Sequence, residues 1–215
     1  MTQTPAGAAT RRAQAAAETE TALKEAAKRV FDREGYLRAK ITDITAEAGR
    51  AAGSFYSHFD SKEQLLEALL VDILEEGHRR AAEPGHSPDF STLEAIRYHV
   101  AGYWRFVVEN RSVILALNQA AMVSEHFGAR QAELLAPLYI EMSGHLEHVT
   151  AAGGTLPADP GTVTGAIVTL LSGYAHAWLT GQVPQLSPQP TPEQAVDMIS
   201  AFILNGIMGP TPPRD

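Results

Sequence analysis

The sequence of 215 residues contains no cysteine, and this absence excludes several kinds of chemistry. A chain without thiols has no disulfide framework, no thiolate nucleophile and no thiolate ligand for a metal ion. It is also compatible with the reducing cytoplasm, which is the location that we predict. The length is sufficient to bury a core in one or two domains.

Positive charge is scarce as well, and it is concentrated near the N-terminus. The formal net charge is -8, and all four lysines lie in the first 62 positions. Residues 1–65 carry ten basic and nine acidic residues, whereas residues 66–215 carry seven basic and sixteen acidic residues. This asymmetry indicates two parts with different partners, of which the first is better suited to an anionic polymer. A first part that is merely neutral, with no such role, is the alternative.

No part of the sequence alternates between apolar and polar residues for long enough to predict a β-strand. From about Ala17 onward, apolar residues recur at spacings of three and four, and glycines or capping residues mark the segment ends. The predicted helices cover 17–34, 41–48, 52–58, a segment that starts at about 62, 91–110, 112–123, 127–151, 160–181 and 192–208. We therefore predict an all-α protein with a disordered arm at 1–16, a small N-terminal three-helix unit at 17–65 and a larger helical bundle at 66–215.

The sequence has no charged residue between Asp159 and Glu193. The 17 residues of Val163–Leu179 fall short of the roughly 20 apolar residues that a membrane span needs, and small or polar residues interrupt them. We therefore predict a buried helix and no membrane association. Because a helix that is apolar all round is buried on all sides, the helices at 160–181 and 192–208 are predicted to form a homodimer interface. An internal pair of helices is the alternative.

Residues 41–62 contain the pattern that carries the most functional information. Two short helices meet at the glycine-containing turn 46–53, and a longer helix precedes them. This is the arrangement of a helix-turn-helix, whose second helix enters the major groove of DNA. Gly53 and Ser54 keep the start of the second helix slim, so that its backbone could approach base edges. Side chains on both flanks of this helix carry hydroxyl, imidazole and ammonium groups that can bind phosphate oxygens. They are Lys40, Thr42, Tyr56, His58 and Lys62.

Residues 20–70, about a quarter of the chain, resemble the DNA-binding domain of the tetracycline-repressor (TetR) family. The resemblance rests on three motifs: Phe31-x-x-Glu34-Gly35-Tyr36, Ile41-x-x-Ile44-x-x-x-Ala48-Gly49, and Gly53-Ser54-Phe55-Tyr56-Ser57-His58-Phe59-x-Ser61-Lys62-Glu63-x-Leu65-Leu66. It implies a dimeric transcriptional regulator, usually a repressor, that a small-molecule ligand releases from a palindromic, double-stranded DNA operator. It also implies that Ala52, Gly53 and Ser54 lie against base edges, while Tyr56, His58 and Lys62 contact the phosphate backbone.

The sequence departs from the family pattern at the start of the second short helix. The family usually has Val-Ser-Lys or a similar triplet where this chain has Arg50-Ala51-Ala52. Without a serine at position 51 the helix lacks an N-cap, which contributes about 1 kcal/mol to helix stability. With alanine at position 52 it also lacks a long basic side chain. Arg50 is predicted either to compensate with a phosphate contact or to lie in solvent. Lys40 occupies the position before the first short helix where the family commonly has a Ser or Thr cap.

The residues predicted to contact DNA are Lys40, Thr42, Arg50, Ala52, Gly53, Ser54, Tyr56, His58 and Lys62. The alternative function is a small-molecule-binding protein of the same fold with weakened or lost DNA binding.

Aromatic and polar side chains in the predicted bundle suggest where a small-molecule effector binds. Ligand pockets between bundle helices are lined mainly by apolar and aromatic groups with a few polar ones. The candidate contacts are His99, Tyr103, Trp104, Asn118, Gln119, Met122, Tyr139, Met142, Tyr174, His176 and Trp178. For most of them the alternative is a place in the hydrophobic core.

No catalytic or metal-binding constellation is present in the sequence. Glu141, His145 and His148 share one helical face, but a convincing metal site needs further ligands and none is visible. The adjacent residues Ser124-Glu125-His126 cannot converge as a catalytic triad does. A glycine-rich phosphate loop, a nucleophile elbow and a His-Glu-x-x-His motif are all missing. We therefore predict no enzymatic activity, no metal and no cofactor.

Overall fold

The computed structural model describes residues 5–81, 87–182 and 188–208, and all regular secondary structure in these ranges is α-helical. The prediction of an all-α protein is confirmed. The helices are α1 (Pro5–Glu34), α2 (Ile41–Glu47), α3 (Ala52–Tyr56), α4 (Lys62–Ala81), α5 (Leu93–Glu109), α6 (Arg111–Val123), α7 (Glu125–Ala151), α8 (Pro160–Thr180) and α9 (Pro192–Met208). Most of these bounds lie within two residues of those predicted from spacing and capping residues.

Helix α1 differs from its prediction, because it begins at Pro5 and includes most of the segment 1–16 where the sequence predicts a disordered arm. This segment is rich in alanine, the residue with the highest intrinsic helix propensity. The side chain of Gln14 also donates a hydrogen bond of 3.3 Å to Glu18 one turn later. Once the later part of α1 is nucleated by packing, each further residue adds a backbone hydrogen bond at little cost.

The chain divides into two compact units, residues 1–74 with 111–131 and residues 75–110 with 132–215. Helix α6 therefore belongs to the same unit as α1, α2 and α3, and it packs on α1. The sequence-based boundary at residue 65 places α6 in the second domain, since periodicity along the chain carries no signal for this long-range contact.

The core of the first unit forms around the apolar face of α1. The side chains of this face recur at spacings of three and four and are buried, and α1 contacts α2 and α6. The buried residues of the first unit include Leu23, Ala26, Ala27, Val30, Phe31, Ile44, Phe55, Phe59, Leu65, Leu66 and Leu69. Each large side chain in such a core contributes roughly 1.5–3 kcal/mol through the area it removes from water. Outside the core, Arg29 and Arg33 both bind Glu47, so that α2 is also tethered to α1 by charge.

The second unit is built on contacts of α5 with α9 and of α5 with α8. The buried residues of these helices include Ile96, Val100, Trp104, Val107, Val163, Ile167, Leu171, Ala175, Val196, Ile199, Ile203 and Ile207. Helix α8 carries no charged residue, yet one side of it, with Ala166, Thr169 and Gly173, is exposed. Across the described ranges, every helix is too short or too polar to span a bilayer.

Helix α8 begins at an N-cap that makes its stability dependent on pH. The Asp159 carboxylate accepts hydrogen bonds from the backbone N–H of Thr162 at 3.0 Å and from its hydroxyl at 2.6 Å. The hydroxyl and the backbone N–H together lower the pKa of the Asp159 carboxyl below its ordinary value of 3.8. The stability that this cap contributes is therefore present above 3.8 and is lost as the pH falls through the lowered folded-state pKa.

We expect Asp159→Ala to reduce the free energy of unfolding at neutral pH, measured by urea denaturation. The difference from the wild type should shrink below pH 3.8, because protonation weakens the carboxylate as an acceptor. Asp159→Asn is the control, since an amide oxygen also caps a helix but does not titrate in this range. Equal stability of the wild type and Asp159→Ala at neutral pH would contradict the role of the cap.

Candidate nucleic-acid interface

Helices α2 and α3 are joined by a tight turn that requires glycine. Gly49 has φ = 63°, in the left-handed region that side chains disfavour. Its N–H donates to the carbonyl of Ala46 at 3.1 Å, and the N–H of Arg50 donates to the carbonyl of Thr45 at 2.9 Å. These backbone bonds close the end of α2 and direct the chain into α3. The helix-turn-helix is therefore present at the predicted place.

Helix α3 is anchored by one side and presents the other. Phe55 is its one buried residue, and the Phe55 ring lies 5.7 Å from the ring of Phe59, measured between centroids. The opposite side is open, with Tyr56 61% exposed. At Gly53, a β-carbon would meet no other heavy atom within 4 Å. The open side of α3 therefore forms a shallow polar surface with little steric bulk. A flat or grooved partner can approach this surface closely.

All nine residues predicted to contact DNA lie in the first unit, between the end of α1 and the start of α4. Exposed among them are Lys40, Thr42, Arg50, Ala52, Gly53 and Tyr56, and half-buried are Ser54, His58 and Lys62. Within the described ranges, the side chains of Lys40 and Arg50 form no ion pair, in contrast to the basic residues of α1 near α2. Their positive charge is thus available to a phosphate group.

Lys62 has a structural role that the sequence does not reveal. Its ammonium donates hydrogen bonds to the backbone carbonyls of Tyr36 at 2.6 Å and of Ala39 at 2.8 Å. It also lies 4.1 Å from the centre of the Tyr36 ring, a cation–π contact. Burial lowers the pKa of Lys62 from its ordinary value. Two of its three N–H donors therefore hold the loop between α1 and α2.

The two departures from the usual cap residues have different consequences. At Lys40, the N-cap of α2, the backbone N–H donates to the carboxylate of Asp43 at 3.0 Å, which satisfies one terminal group. The lysine side chain itself has no acceptor atom with which to cap. At Ala51, the N-cap of α3, the backbone is extended (φ = -69°, ψ = 149°) and no side chain caps the helix. Helix α3 thus begins without the hydrogen bond that serine would supply.

The charges on the inner side of α2 are neutralised within the unit. The Nε of Arg29 lies 2.7 Å from one oxygen of Glu47, and a guanidinium nitrogen of Arg33 lies 3.3 Å from the other. Hydrogen bonds from Arg29 first, and from Arg33, lower the pKa of the Glu47 carboxyl. The basic residues of α1 next to α2 therefore hold α2 in place. Lys40 and Arg50, which precede and follow α2, are exposed and form no ion pair within the described ranges.

The residues predicted to bind a small molecule divide between the two units. Asn118, Gln119 and Met122 lie on α6 in the first unit, and the other eight lie in the second unit. Gln119 accepts a hydrogen bond from the backbone N–H of Tyr36 at 2.8 Å, and Met122 is exposed. Helical spacing alone identifies apolar and polar faces, and it does not indicate which helices pack together.

In the second unit, three of the predicted residues form an aromatic cluster. The ring of Trp104 lies 5.9 Å from that of Tyr174 and 5.3 Å from that of Trp178. Trp104 is only 2% exposed, and its indole N–H has no hydrogen-bond partner among the described residues. The indole N–H of Trp178 instead donates to the carbonyl of Pro190 at 3.0 Å. A buried donor without an acceptor is costly in a folded protein.

The remaining predicted residues of this unit differ in burial and contacts. His99 contacts the rings of Phe90 and His145, both at 4.8 Å between centroids. Burial, with Tyr139 nearby, raises the pKa of Tyr103 to about 12. Met142 and His176 are half-buried, and Tyr139 is exposed. A separate cavity of about 240 Å³ is lined by other residues, namely Ser87, Thr92, Glu94, Ala95 and Tyr98.

The three residues of the partial metal motif on α7 differ in their exposure to solvent. His145 is buried and stacks on Phe90, whereas Glu141 and His148 are exposed. Within the part of the chain that the structure describes, three or more His, Asp or Glu side chains do not come together around a common point. The packing of His145 thus explains its presence on this face.

Comparison with known proteins shows what the first unit is similar to. Residues 23–69 match the family model of bacterial regulatory proteins of the tetR family. The chain is 40% identical over 74 residues to the HTH-type transcriptional regulator TtgR of Pseudomonas putida, an alignment that covers 34% of this chain and 35% of that protein. The chain thus matches about a third of the length of this relative. A longer alignment, 28% identical over 181 residues, covers 78% of this chain and 83% of the HTH-type transcriptional repressor BepR of Brucella suis.

Solved structures show that the likeness in fold extends over most of the chain. A bacterial regulatory protein in the tetR family from Rhodococcus matches with a TM-score of 0.65 and 21% identity, over 88% of this chain and 96% of that one. The TetR family transcriptional regulator PfmR from Thermus thermophilus matches with a TM-score of 0.63 and 18% identity, over 86% and 97%. The helices beyond residue 69 therefore adopt the fold of these regulators.

We expect Ala51→Ser to stabilise the first unit by about 1 kcal/mol, because the serine hydroxyl would cap the start of α3. The measurement is the free energy of unfolding from urea denaturation. Ala46→Ser is the control, since position 46 is exposed inside α2 and offers no cap to fill. A gain no larger for Ala51→Ser than for this control would contradict the assignment of Ala51 as an uncapped N-cap.

Proposed function

We propose that this chain, a member of the TetR family by its N-terminal DNA-binding domain, is a homodimeric repressor that a small molecule releases from a palindromic DNA operator. The observation that carries the proposal is the outward face of α3, where Gly53 and Tyr56 are exposed while Phe55 is held in the core. A helix presented in this way can enter a major groove with its N-terminal residues at the base edges. The family match to residues 23–69 supports the same interpretation.

The charges of the interface support phosphate contacts on both sides of this helix. Lys40 precedes α2 and Arg50 precedes α3, and both side chains are exposed. Tyr56 adds an exposed hydroxyl at the end of α3. Phosphate contacts of this kind set the orientation of a protein on the duplex, whereas contacts to base edges provide the specificity. With alanine at 52, we propose that specificity comes mainly from Ser54, the backbone at Gly53 and the shape of the groove.

A palindromic operator requires two copies of the chain. The exposed side of α9 carries Phe202, which is 67% exposed, and Met198, while the exposed side of α8 carries small residues. Large apolar side chains beside small ones permit close helix packing between identical surfaces. We propose that α8 and α9 form the homodimer interface. The two reading helices would then have to enter major grooves about 34–36 Å apart, or a multiple of that distance.

The effector that we propose is an uncharged, mainly aromatic or apolar molecule. The described part of the second unit contains no buried Asp, Glu, Lys or Arg side chain, so a buried ionic group on the ligand would have no counterion. The cluster of Trp104, Tyr174 and Trp178 offers aromatic surface and one buried N–H donor. Release from DNA requires that the effector bind the DNA-free form more tightly than the DNA-bound form.

DNA binding is tested with fragments that the wild-type protein selects from a randomised duplex pool. We expect the affinity to fall steeply with salt and Arg50→Ala to reduce the slope of log affinity against log salt. Each lost phosphate contact lowers that slope by about 0.9, hence by roughly 1.8 for a dimer. The measurement is gel retardation over a series of salt concentrations.

Arg97→Ala is the matched control, because it removes the same charge from the second unit, where Arg97 pairs with Asp197. Equal slopes for Arg50→Ala and Arg97→Ala would contradict a phosphate contact at Arg50. Failure of the wild type to select any sequence at low salt would favour the alternative function, a small-molecule-binding protein of this fold that no longer binds DNA.

We expect Phe202→Glu to convert the dimer to monomers, measured by sedimentation velocity. In a symmetric interface the substitution removes an apolar contact and brings together like charges, so dimerisation should weaken at least ~30-fold. The control is Ile140→Glu, which charges another exposed large apolar residue outside α8 and α9. A Phe202→Glu protein that remains dimeric at the same concentration would contradict an interface at α9.

A further inference from the structure

The loop between α1 and α2, residues 35–40, determines where the helix-turn-helix begins. It ends at Lys40, whose carbonyl accepts the first hydrogen bonds of α2. Gly35 starts the loop in a left-handed conformation, with φ = 75°. Within the loop, the N–H of Ala39 donates to the carbonyl of Gly35 at 3.2 Å. A segment with so few internal hydrogen bonds depends on other parts of the unit for a defined conformation.

The peptide groups of Tyr36 are held from two sides. Its carbonyl accepts the hydrogen bond from Lys62, at the start of α4. Its N–H donates to the side-chain oxygen of Gln119, on α6, at 2.8 Å. The same oxygen lies 3.4 Å from the N–H of Leu37. Since both partners of this side-chain atom are N–H donors, it has to be the amide oxygen.

The hydrogen bond of Gln119 restrains the open flank of the loop, whereas the buried Tyr36 ring packs on Phe31. A groove of about 390 Å³ is lined on the open flank by the end of α1, the loop and α6, including Leu37, Leu115 and Gln119. Leu37 is 58% exposed, so the loop is not sealed by an apolar contact on this side. A β-carbon at position 35 would already lie 3.4 Å from the Gln119 oxygen, which shows how closely the two segments approach.

We propose that Gln119 is a positioning residue for DNA binding, which acts by holding the Tyr36 peptide and thereby the start of α2. It lies 79 residues beyond Lys40 in the sequence, outside the helix-turn-helix. Loss of its oxygen leaves the Tyr36 N–H without its acceptor and removes one of the two side chains that hold the loop, while Lys62 still binds the carbonyls of Tyr36 and Ala39. The Lys40 end of α2 is then less narrowly held in its orientation toward the phosphate backbone. This inference rests on the proposed function.

The test separates positioning from simple stabilisation by measuring two affinities at a temperature well below the unfolding transition. One is for a duplex that the wild type selects from a randomised pool, and the other is for a scrambled duplex of the same composition. Gln119→Met keeps the length of the side chain and its lack of charge but removes the acceptor. We expect it to weaken specific binding about tenfold or more. Binding to the scrambled duplex depends on net basic charge and should not change.

Gln119→Glu is the matched rescue variant, because a carboxylate oxygen accepts the same hydrogen bond. Its added negative charge should lower both affinities by a similar factor, so that the ratio of specific to scrambled affinity stays near the wild-type ratio. Val123→Ala, at an exposed position one turn later on α6, should leave both affinities unchanged. In the free protein, hydrogen exchange of the Tyr36 amide should accelerate in Gln119→Met and remain slow in Gln119→Glu.

Two outcomes would overturn this role of Gln119 while leaving the proposed function intact. In the first, Gln119→Met has the same ratio of specific to scrambled affinity as the wild type, even if its melting temperature is lower. That result would show that Gln119 stabilises the fold and does not position α2. In the second, Gln119→Glu and Gln119→Met lower the ratio of specific to scrambled affinity equally. That result would show that the hydrogen-bond acceptor at position 119 does not determine the ratio. If the wild type selects no sequence, the proposed function fails first, and the positioning role fails with it.

Discussion

Helix α3 has only five residues, and an isolated helix of that length is not stable in water. Its existence depends on the burial of Phe55, the one side chain that it contributes to the core of the first unit. The ring of Phe59 lies beside the Phe55 ring, and α3 contacts α2. The exposure of the rest of α3 follows from the burial of Phe55, because the side of α3 opposite Phe55 must then face outward. The absence of a side-chain cap at Ala51 makes α3 still more dependent on this burial.

The charges of the first unit have two distinct uses. Arg29 and Arg33 bind Glu47 and hold α2 against α1, and Lys62 binds two carbonyls of the loop that precedes α2. Lys40 and Arg50 lie exposed on the outside of the same elements. A net charge of -8 for the chain is therefore compatible with a DNA-facing surface, because the acidic excess lies in residues 66–215. The local distribution of unpaired charge, and not the total, decides which partner such a surface can approach.

Hydrogen bonds to backbone groups add to apolar packing at the loop of residues 35–40, where Tyr36 and Ala39 are buried. The loop of residues 35–40 receives Lys62 at its carbonyls and Gln119 at its N–H groups. Each of these side chains comes from a different helix, so that α4 and α6 both contact the segment that leads into α2. A hydrogen bond of this kind contributes little net stability, yet leaving the buried partner unpaired is costly. Such contacts therefore define a conformation more than they add to the stability of the fold.

The sequence alone determined the helical architecture, most helix bounds and the position of the helix-turn-helix. These features depend on local rules: apolar spacing, capping boxes such as Thr191–Gln194, and left-handed glycines such as Gly35 and Gly49. The missing cap at Ala51 was likewise readable, since an N-cap depends on one residue and its near neighbours. Tertiary structure alone decided the partners of Lys62 and Gln119, which lie 26 and 83 residues from Tyr36 in the sequence. It also decided that α6 joins the first unit, which separated Asn118, Gln119 and Met122 from the other residues predicted to bind a ligand. The physical reason is that a side-chain donor or acceptor can bind any suitable group that packing brings within reach, and spacing along one helix does not specify which group that is.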